Sequence, residues 1–153
     1  MLLAVAAMGC DRVNNKSLPE YPVRINLGDY GRWVTYGVSG AAEYRTFSRE
    51  RREPSNFPYD ANTYTGFGGV LLMMGVDMVP MAYDLACPVV ARSDVVVSID
   101  SENFDAVCPN CHSHYNVLTG HGTSVSGMAY DRKLGLRVYA VTPYNGGYII
   151  SNR

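Results

Sequence analysis

Soft metal ligands are concentrated in one stretch of this 153-residue chain, and Cys87 lies upstream of it. The stretch reads Cys108-Pro109-Asn110-Cys111-His112-Ser113-His114-Tyr115. Pro109 and Asn110 are turn residues, and short apolar runs flank the stretch on both sides. The pattern therefore predicts a hairpin-like loop with Cys108 and Cys111 at its tip. Two sulfurs in such a loop suit a shared metal ion, a cluster or a strained disulfide.

Other chemistries need elements that the sequence does not supply. A thioredoxin-like Cys-x-x-Cys requires a helix N-terminus in a βαβ setting, whereas the sequence around Cys108 favours strands. A hydrolase could pair Cys111 with His112 or His121, but adjacent residues rarely meet and no third, orienting group is evident. The glycines of residues 66–69 are too close together for a dinucleotide fingerprint. Metal or disulfide chemistry is the better interpretation.

The elements that must position these cysteines are predicted to be short strands. The 12 tyrosines, 15 glycines and many valines favour strands and turns over helices. Apolar runs and alternating patterns predict strands at residues 21–27, 33–38, 70–76, 81–85, 95–99, 136–141 and 148–150. Asn145 to Gly147 predict a hairpin turn, and charged residues 43–58 predict a loop because Pro54 and Pro58 break a helix. Many short strands predict an all-β fold, a small antiparallel sandwich or barrel.

Composition excludes two classes of partner. The formal net charge is -1, so there is no electrostatic case for nucleic acid or acidic lipid. The length fits one domain with its own core. No run of 18 apolar residues is present, so no transmembrane helix is expected.

The N-terminal residues predict export. Residues 1–9 are apolar and uncharged and end at Cys10, which resembles a bacterial lipoprotein signal, in which the cysteine after a small residue is lipidated. The resemblance implies a signal remnant at 1–9, a polar tether at 10–19 and the domain at 20–153. It also implies an extracytoplasmic protein held at the membrane through Cys10. The alternative is an apolar N-terminus with an ordinary free thiol.

The cysteine-bearing segments resemble the Rieske iron–sulfur domain. That family has Cys-x-His in one loop and Cys-x-x-His-Gly-Ser-x-Phe/Tyr in a second, and two Cys and two His hold a [2Fe–2S] cluster. Here Cys87-Pro88-Val89 falls on the first motif and residues 108–115 fall on the second without a gap. The resemblance implies an all-β domain with a two-loop cluster-binding subdomain. It also implies that hydroxyls of Ser113 and Tyr115 hydrogen-bond the cluster or a cysteine sulfur and raise the potential.

Both histidine positions of the family are changed. Val89 stands at the first and Cys111 at the second, while His112 replaces a glycine. Carried over residue by residue, the expected metal ligands are Cys87, Cys108 and Cys111, with His112 as the fourth. Three outcomes stay open: a [2Fe–2S] cluster, zinc held by three cysteines and a histidine, or an empty site in which Cys87 and Cys108, ligands to the same iron in the family, form a disulfide.

The resemblance predicts one of two functions. The first is electron transfer by an altered [2Fe–2S] cluster, with a redox partner that the sequence does not identify. The alternative is a cluster-free binding or scaffold lipoprotein of the cell envelope, with zinc or a disulfide at the old site. Neither is predicted to be a stand-alone enzyme, and no catalytic residue is proposed.

Overall fold

The computed structural model describes residues 12–119 and 121–153. The fold is mostly β, with 35% strand and 8% helix, which confirms the prediction of an all-β chain. The signal remnant at 1–9 and the lipidation site at Cys10 lie outside the described residues. In the part of the chain that is described, no helix has the length and apolar character needed to span a bilayer.

Eleven strands and two short helices follow one another along the described chain. In order they are β1 (Val23–Leu27), α1 (Tyr30–Tyr36), β2 (Tyr44–Phe47), β3 (Tyr64–Thr65), β4 (Val70–Met74), β5 (Pro80–Asp84), β6 (Ser98–Ile99), β7 (Ala106–Val107), β8 (His114–Asn116), β9 (Thr123–Ser126), α2 (Met128–Asp131), β10 (Val138–Tyr144) and β11 (Gly147–Ser151).

Seven of these strands form one large, nearly closed antiparallel sheet in the order β2-β4-β5-β10-β11-β1-β3. The hairpin of β10 and β11 turns at Asn145 and Gly146, as the sequence predicts, and both residues have positive φ. β5 is an interior strand of this sheet and pairs with β4 on one side and β10 on the other. The segment that leaves β5 is therefore anchored in the interior of the large sheet.

The remaining four strands form a small antiparallel sheet in the order β6-β7-β8-β9. Its central hairpin, β7 and β8, is the one predicted around the cysteine-rich stretch. Helix α2 follows β9 directly after Gly127, whose φ of 81° is accessible to glycine but costly for most residues. The amide of Ala129 in α2 donates to the Ser113 hydroxyl, so this helix lies beside the hairpin loop of the small sheet.

Two hydrophobic cores lie on opposite faces of β4. Val70, Leu72 and Met74 face a core that β1 and β11 complete, whereas Leu71 and Met73 face a second core shared with the small sheet. All five residues of β4 are buried. A run of consecutive apolar residues in a strand is explained when both faces of the sheet are covered.

Two of the sequence predictions for residues 29–58 are wrong. Residues 33–38, predicted as a strand, lie mostly in α1, which Asp29 caps by accepting a hydrogen bond from the amide of Arg32 at 2.7 Å. The amide of Gly37 donates to the carbonyl of Trp33 and ends the helix. The charged stretch 43–58, predicted as a loop, contains β2, whose Phe47 is fully buried. A short pattern of apolar and polar residues, only two helical turns long, does not distinguish a helix from a strand by its periodicity alone.

Of the segment 10–19, expected to be a tether, the structure describes residues 12–19, and these contact the domain at Asn14 and Leu18. Asn14 pairs with Leu134 in a parallel bridge. Leu18 is buried, and its carbonyl accepts a hydrogen bond from the guanidinium of Arg137 at 2.5 Å. This segment is therefore part of the folded surface.

Candidate metal centre

Two loops supply the thiols of the site. The first loop leaves β5 and contains Cys87; the second joins β7 to β8 and contains Cys108 and Cys111. In the first loop the amide of Cys87 donates to Val95 O at 3.2 Å, and its carbonyl accepts from the amide of Ala91 at 2.8 Å, which closes a turn. Val97 N donates to Leu85 O at 2.8 Å. These bonds hold the fully buried Cys87 side chain in the core that the small sheet shares.

A buried carboxylate, Asp84, secures the start of the first loop. One of its oxygens accepts from the amides of Ala86 at 2.8 Å and Gly68 at 3.0 Å, and the other accepts from Phe67 N at 3.0 Å and the Tyr139 hydroxyl at 2.5 Å. Burial raises the pKa of Asp84, and the four hydrogen bonds only partly oppose this. The glycine-rich segment 66–69 is thereby fastened to the backbone just before the first cysteine.

The second loop is a tight turn closed by its own backbone. Cys108 N donates to Ser113 O at 3.0 Å, and His112 N donates to Cys108 O at 3.0 Å. His112 has a φ of 57°, the left-handed region, which lets the chain reverse there. The hairpin predicted from Pro109 and Asn110 is confirmed, with both thiols in the turn between β7 and β8.

The structure brings the three cysteines together into what we call the thiol triad: Cys87, Cys108 and Cys111. Their Sγ atoms all lie within 4.8 Å of one another. Cys87 Sγ lies 3.5 Å from Cys111 Sγ, and all three are free thiols. Cys87 and Cys108 are fully buried, whereas Cys111 is half-buried. Three cysteines this close together can bind a metal ion.

Two hydroxyl groups contact the triad from the small sheet. The Tyr115 hydroxyl lies 3.3 Å from Cys87 Sγ, and the Ser113 hydroxyl lies 3.2 Å from Cys111 Sγ. Ser113 Oγ also accepts a hydrogen bond from the amide of Ala129 in α2 at 3.0 Å. Both hydroxyls can donate to a thiolate, so they support the charged form of the sulfur that a metal requires.

The thiols of the second loop differ in acidity. Burial raises the pKa of Cys108 to about 12. Burial acts the same way on Cys111, but hydrogen bonds with Ser113, Cys87 and Cys108 together outweigh it and leave the pKa of Cys111 below its ordinary value. Because metals bind thiolates, an ion entering the site must displace a proton from Cys108.

The histidines lie outside this group. Among residues 12–119 and 121–153, the ligand atoms that cluster at this site are the three thiols of the triad. His112, the expected fourth ligand, is exposed and does not belong to the cluster. His114 Nδ1 lies 3.6 Å from a carboxylate oxygen of Asp105, and His121 is exposed. Val89, at the position of a histidine in the resembled family, packs against the second core.

Sequence reasoning missed two contributors to the site. Asp84 is an acid at the end of the apolar run 81–85, and a lone carboxylate in such a run indicates a buried, hydrogen-bonded group. Ala129 contributes only a backbone amide, so its residue type carries no signal. The approach of the two loops depends on sheet pairing, which the cysteine spacing does not specify.

Comparisons with protein-family models, with curated proteins and with solved structures found no match for this chain. Function therefore has to be inferred from the site itself.

Proposed function

We propose that this protein is a metal-binding β domain in which the thiol triad holds one metal ion, and that zinc is that ion. The spacing of the sulfurs supports this. Two thiolates on one tetrahedral zinc lie about 3.8 Å apart, since each Zn–S bond is about 2.3 Å long. The triad has a 3.5 Å contact between Cys87 Sγ and Cys111 Sγ and all Sγ atoms within 4.8 Å of one another.

The same spacing is less suited to a two-iron cluster. In the resembled family the position of Cys111 belongs to the second iron, whereas Cys87 and Cys108 bind the first. Sulfurs on different irons are further apart than sulfurs on one ion, because both irons and the bridging sulfides separate them. The contact between Cys87 and Cys111 therefore favours one ion over a binuclear cluster.

A fourth ligand completes the tetrahedron. His112 follows Cys111 directly and is exposed, so its imidazole can change rotamer without repacking the core. A water molecule is the other source. Three thiolates and an imidazole make a closed, structural site, whereas water in the fourth position leaves the ion open. Removal of the imidazole in His112→Ala separates the two, because only a histidine-bound site changes its cobalt spectrum.

The proposed role of the ion is to join the two loops. The first loop leaves an interior strand of the large sheet and the second belongs to the small sheet, so an ion held by both ties the sheets together. Since the site depends on the fold, metal binding adds to the stability of the domain. Zinc has no redox chemistry of its own, so under this proposal the domain is a binding or scaffold module and not an electron carrier. We further propose a Rieske-like scaffold, on the resemblance of its two loops, and a lipid anchor at Cys10, on the apolar run before it.

A second candidate is electron transfer by a [2Fe–2S] cluster. One observation favours it: the hydroxyls of Tyr115 and Ser113 contact cysteine sulfurs. These are the residues that the family resemblance assigns to raising the potential, and hydrogen bonds to sulfur do so by stabilising the reduced cluster. An all-cysteine ligand set would act the other way by adding negative charge.

Metal analysis of the intact protein tests both candidates. Protein produced with iron and zinc both in excess, and purified without oxygen or chelators, should be colourless and hold one zinc per chain. Replacement by Co²⁺ should give the intense thiolate-to-cobalt absorption of a tetrahedral site. Two irons per chain with visible absorbance would establish the cluster instead. A metal-free chain that also fails to take up added zinc would contradict both.

A further inference from the structure

Two of the three thiols of the triad are in direct contact although they come from different loops. Cys87 Sγ and Cys111 Sγ lie 3.5 Å apart, and 24 residues separate them in the chain. Cys111 is the half-buried member of the triad, while Cys87 is fully buried behind it. An oxidant arriving from solvent therefore meets Cys111 first and has Cys87 immediately beneath the point of attack.

We infer that Cys87 and Cys111 are a reversible dithiol–disulfide pair, oxidised by low-molecular-weight disulfides, and that closing this disulfide expels the metal. The metal-release half of this inference rests on the proposed function; the pairing of the two sulfurs rests on the geometry alone. This pairing differs from the bond between Cys87 and Cys108, which is one of the three outcomes that the sequence leaves open.

The reaction proceeds in two exchange steps. The Cys111 thiolate attacks one sulfur of the small disulfide, forms a mixed disulfide and releases one small thiol. The Cys87 thiolate then attacks Cys111 Sγ, forms the intramolecular disulfide and releases the second small thiol. The two protein sulfurs lose two electrons, which reduce the small disulfide. In the metal-free protein the two protons of Cys87 and Cys111 end on the released thiols; in the zinc-loaded protein both sulfurs are thiolates, so Zn²⁺ leaves and the released thiolates take their protons from water. A small thiol in excess reverses both steps.

The structure favours this pair over one that includes Cys108. Cys108 Sγ is fully buried and already accepts the backbone N–H of Cys111, so it lies inside the turn. The sulfur that contacts Cys111 from the opposite loop belongs to Cys87. Exchange requires the attacking sulfur to reach the disulfide sulfur, and Cys87 needs to move less than two ångströms from contact to bond distance, about 2.05 Å.

Oxidation exchanges one connection between the loops for another. A metal ion bound by the triad loses two of its three thiolates when Cys87 and Cys111 join, and a single remaining thiolate does not retain zinc. The new covalent bond links the same two loops that the metal had linked. The domain is therefore expected to stay folded while its metal leaves, so the local redox state controls metal occupancy.

The test uses zinc-loaded full-length protein and oxidised glutathione in the absence of oxygen. The expected result is release of the bound zinc to a chromogenic chelator together with one disulfide between Cys87 and Cys111, and recovery of zinc binding after dithiothreitol. Cys108 and Cys111 share the tryptic peptide 93–132, while Cys87 lies in peptide 53–92. Fragmentation before Pro109 therefore assigns the bond to one of the two.

Two variants sharpen the assignment. Cys87→Ser should stop at a glutathione adduct on Cys111, because the resolving thiol is missing. Cys108→Ser should still form the bond between Cys87 and Cys111, even if it no longer binds zinc. A stable glutathione adduct on the unmodified sequence, or a disulfide that includes Cys108, would overturn the inference.

A parallel experiment on metal-free protein separates the two proposals. If the chain binds no zinc yet forms the disulfide between Cys87 and Cys111, the pairing stands and the proposed metal function fails. If it binds zinc and the thiols never pair in either form, the metal function stands and the inference is overturned. The mapping is made on the unmodified sequence, so neither result depends on the folding of a variant.

Discussion

The hydroxyl of Tyr115 and the thiol of Cys87 lie 3.3 Å apart across 28 residues of chain. Tyr115 is in β8 and has no exposed surface, so it reaches the sulfur from inside the second core. Burial, together with the hydrogen bond to Cys87, raises the pKa of Tyr115, and its proton therefore stays on the oxygen. A buried phenol that retains its proton is a fixed donor to the Cys87 thiolate.

Tyr115→Phe is expected to weaken zinc binding without unfolding the domain. Phenylalanine fills the same space but removes the donor, and loss of such an outer contact typically costs about 10–100-fold in metal affinity. Chelator competition measures the affinity, and chemical denaturation of the metal-free protein should show a loss below about 1.5 kcal/mol. Tyr130→Phe, at a position that is 61% exposed, is the matched control. Equal affinities for the two variants would mean that the hydroxyl does not support the thiolate.

Ser113→Ala removes a hydroxyl oxygen that contacts both the Cys111 thiol and the Ala129 amide. The Ala129 amide loses its acceptor in a buried place, and Cys111 loses its hydroxyl partner. We expect the free energy of unfolding to fall by about 1–3 kcal/mol, the cost of an unsatisfied buried donor. Thermal and urea denaturation check this, with Ser126→Ala on the exposed end of β9 as the control. A loss no larger than that of the control would show that water replaces the hydroxyl at α2.

Cys108→Ser is expected to abolish zinc binding at micromolar concentrations of metal. Serine is a poor zinc ligand, and two cysteines that retain a 3.5 Å contact are left. The buried hydroxyl should also lower the stability of the metal-free protein by about 1–3 kcal/mol. Metal content after dialysis is the measurement. Cys10→Ser, which changes the thiol outside the described residues, is the control, and full zinc retention by Cys108→Ser would exclude the triad as the binding site.

Asp84→Asn tests the anchor of the first loop. An amide offers one oxygen where the carboxylate offers two, so some of the backbone donors from Phe67, Gly68 and Ala86 lose their acceptor. We expect a loss of about 1–3 kcal/mol for each donor left unpaired. The control is Asp94→Asn, which breaks an exposed ion pair with Arg92 and should cost less than about 1 kcal/mol. Comparable losses in urea denaturation would contradict the anchoring role.

The same carboxyl group predicts a pH dependence. Burial raises the pKa of Asp84 in the folded state above its ordinary value of 3.8, so the folded chain keeps this proton to a higher pH than the unfolded chain does. Above that value the folded state binds more protons, so the contribution of Asp84 to the free energy of unfolding decreases as pH rises towards the folded pKa. The stability difference between the unmodified protein and Asp84→Asn should therefore shrink with rising pH over this window. A difference that grows instead would mean that the folded pKa is lowered.

The sequence predicted those strands and turns that are determined by residues close together in the chain. The apolar runs at residues 70–76 and 81–85 became β4 and β5, and Asn145 and Gly146 formed the expected turn. Helix α1 was missed because it has only two turns, and Trp33 contacts Tyr148 at a ring distance of 4.5 Å, a tertiary contact that the local pattern does not specify. The Asp29 cap was the one local signal for that helix.

The candidate site was predictable in its residue types and less so in its geometry. The cysteine stretch indicated Cys108 and Cys111 in one turn, and the family resemblance added Cys87 from elsewhere in the chain. Which two sulfurs touch depends on side-chain directions that spacing does not encode, and the structure places Cys87 against Cys111. The supports from Asp84 and Ala129 depend on sheet pairing and helix docking, which only the folded chain shows.

Because both faces of β4 are covered, the small sheet, which bears Cys108 and Cys111, cannot be removed without exposing the core that it shares with β4. Excising residues 98–126 would leave an apolar strip along Leu71 and Met73 open to water and prone to self-association. If metal binding were no longer needed, substitution of the individual cysteines would therefore destabilise the domain less than deletion of the small sheet. The fold can be retained after the metal site is lost.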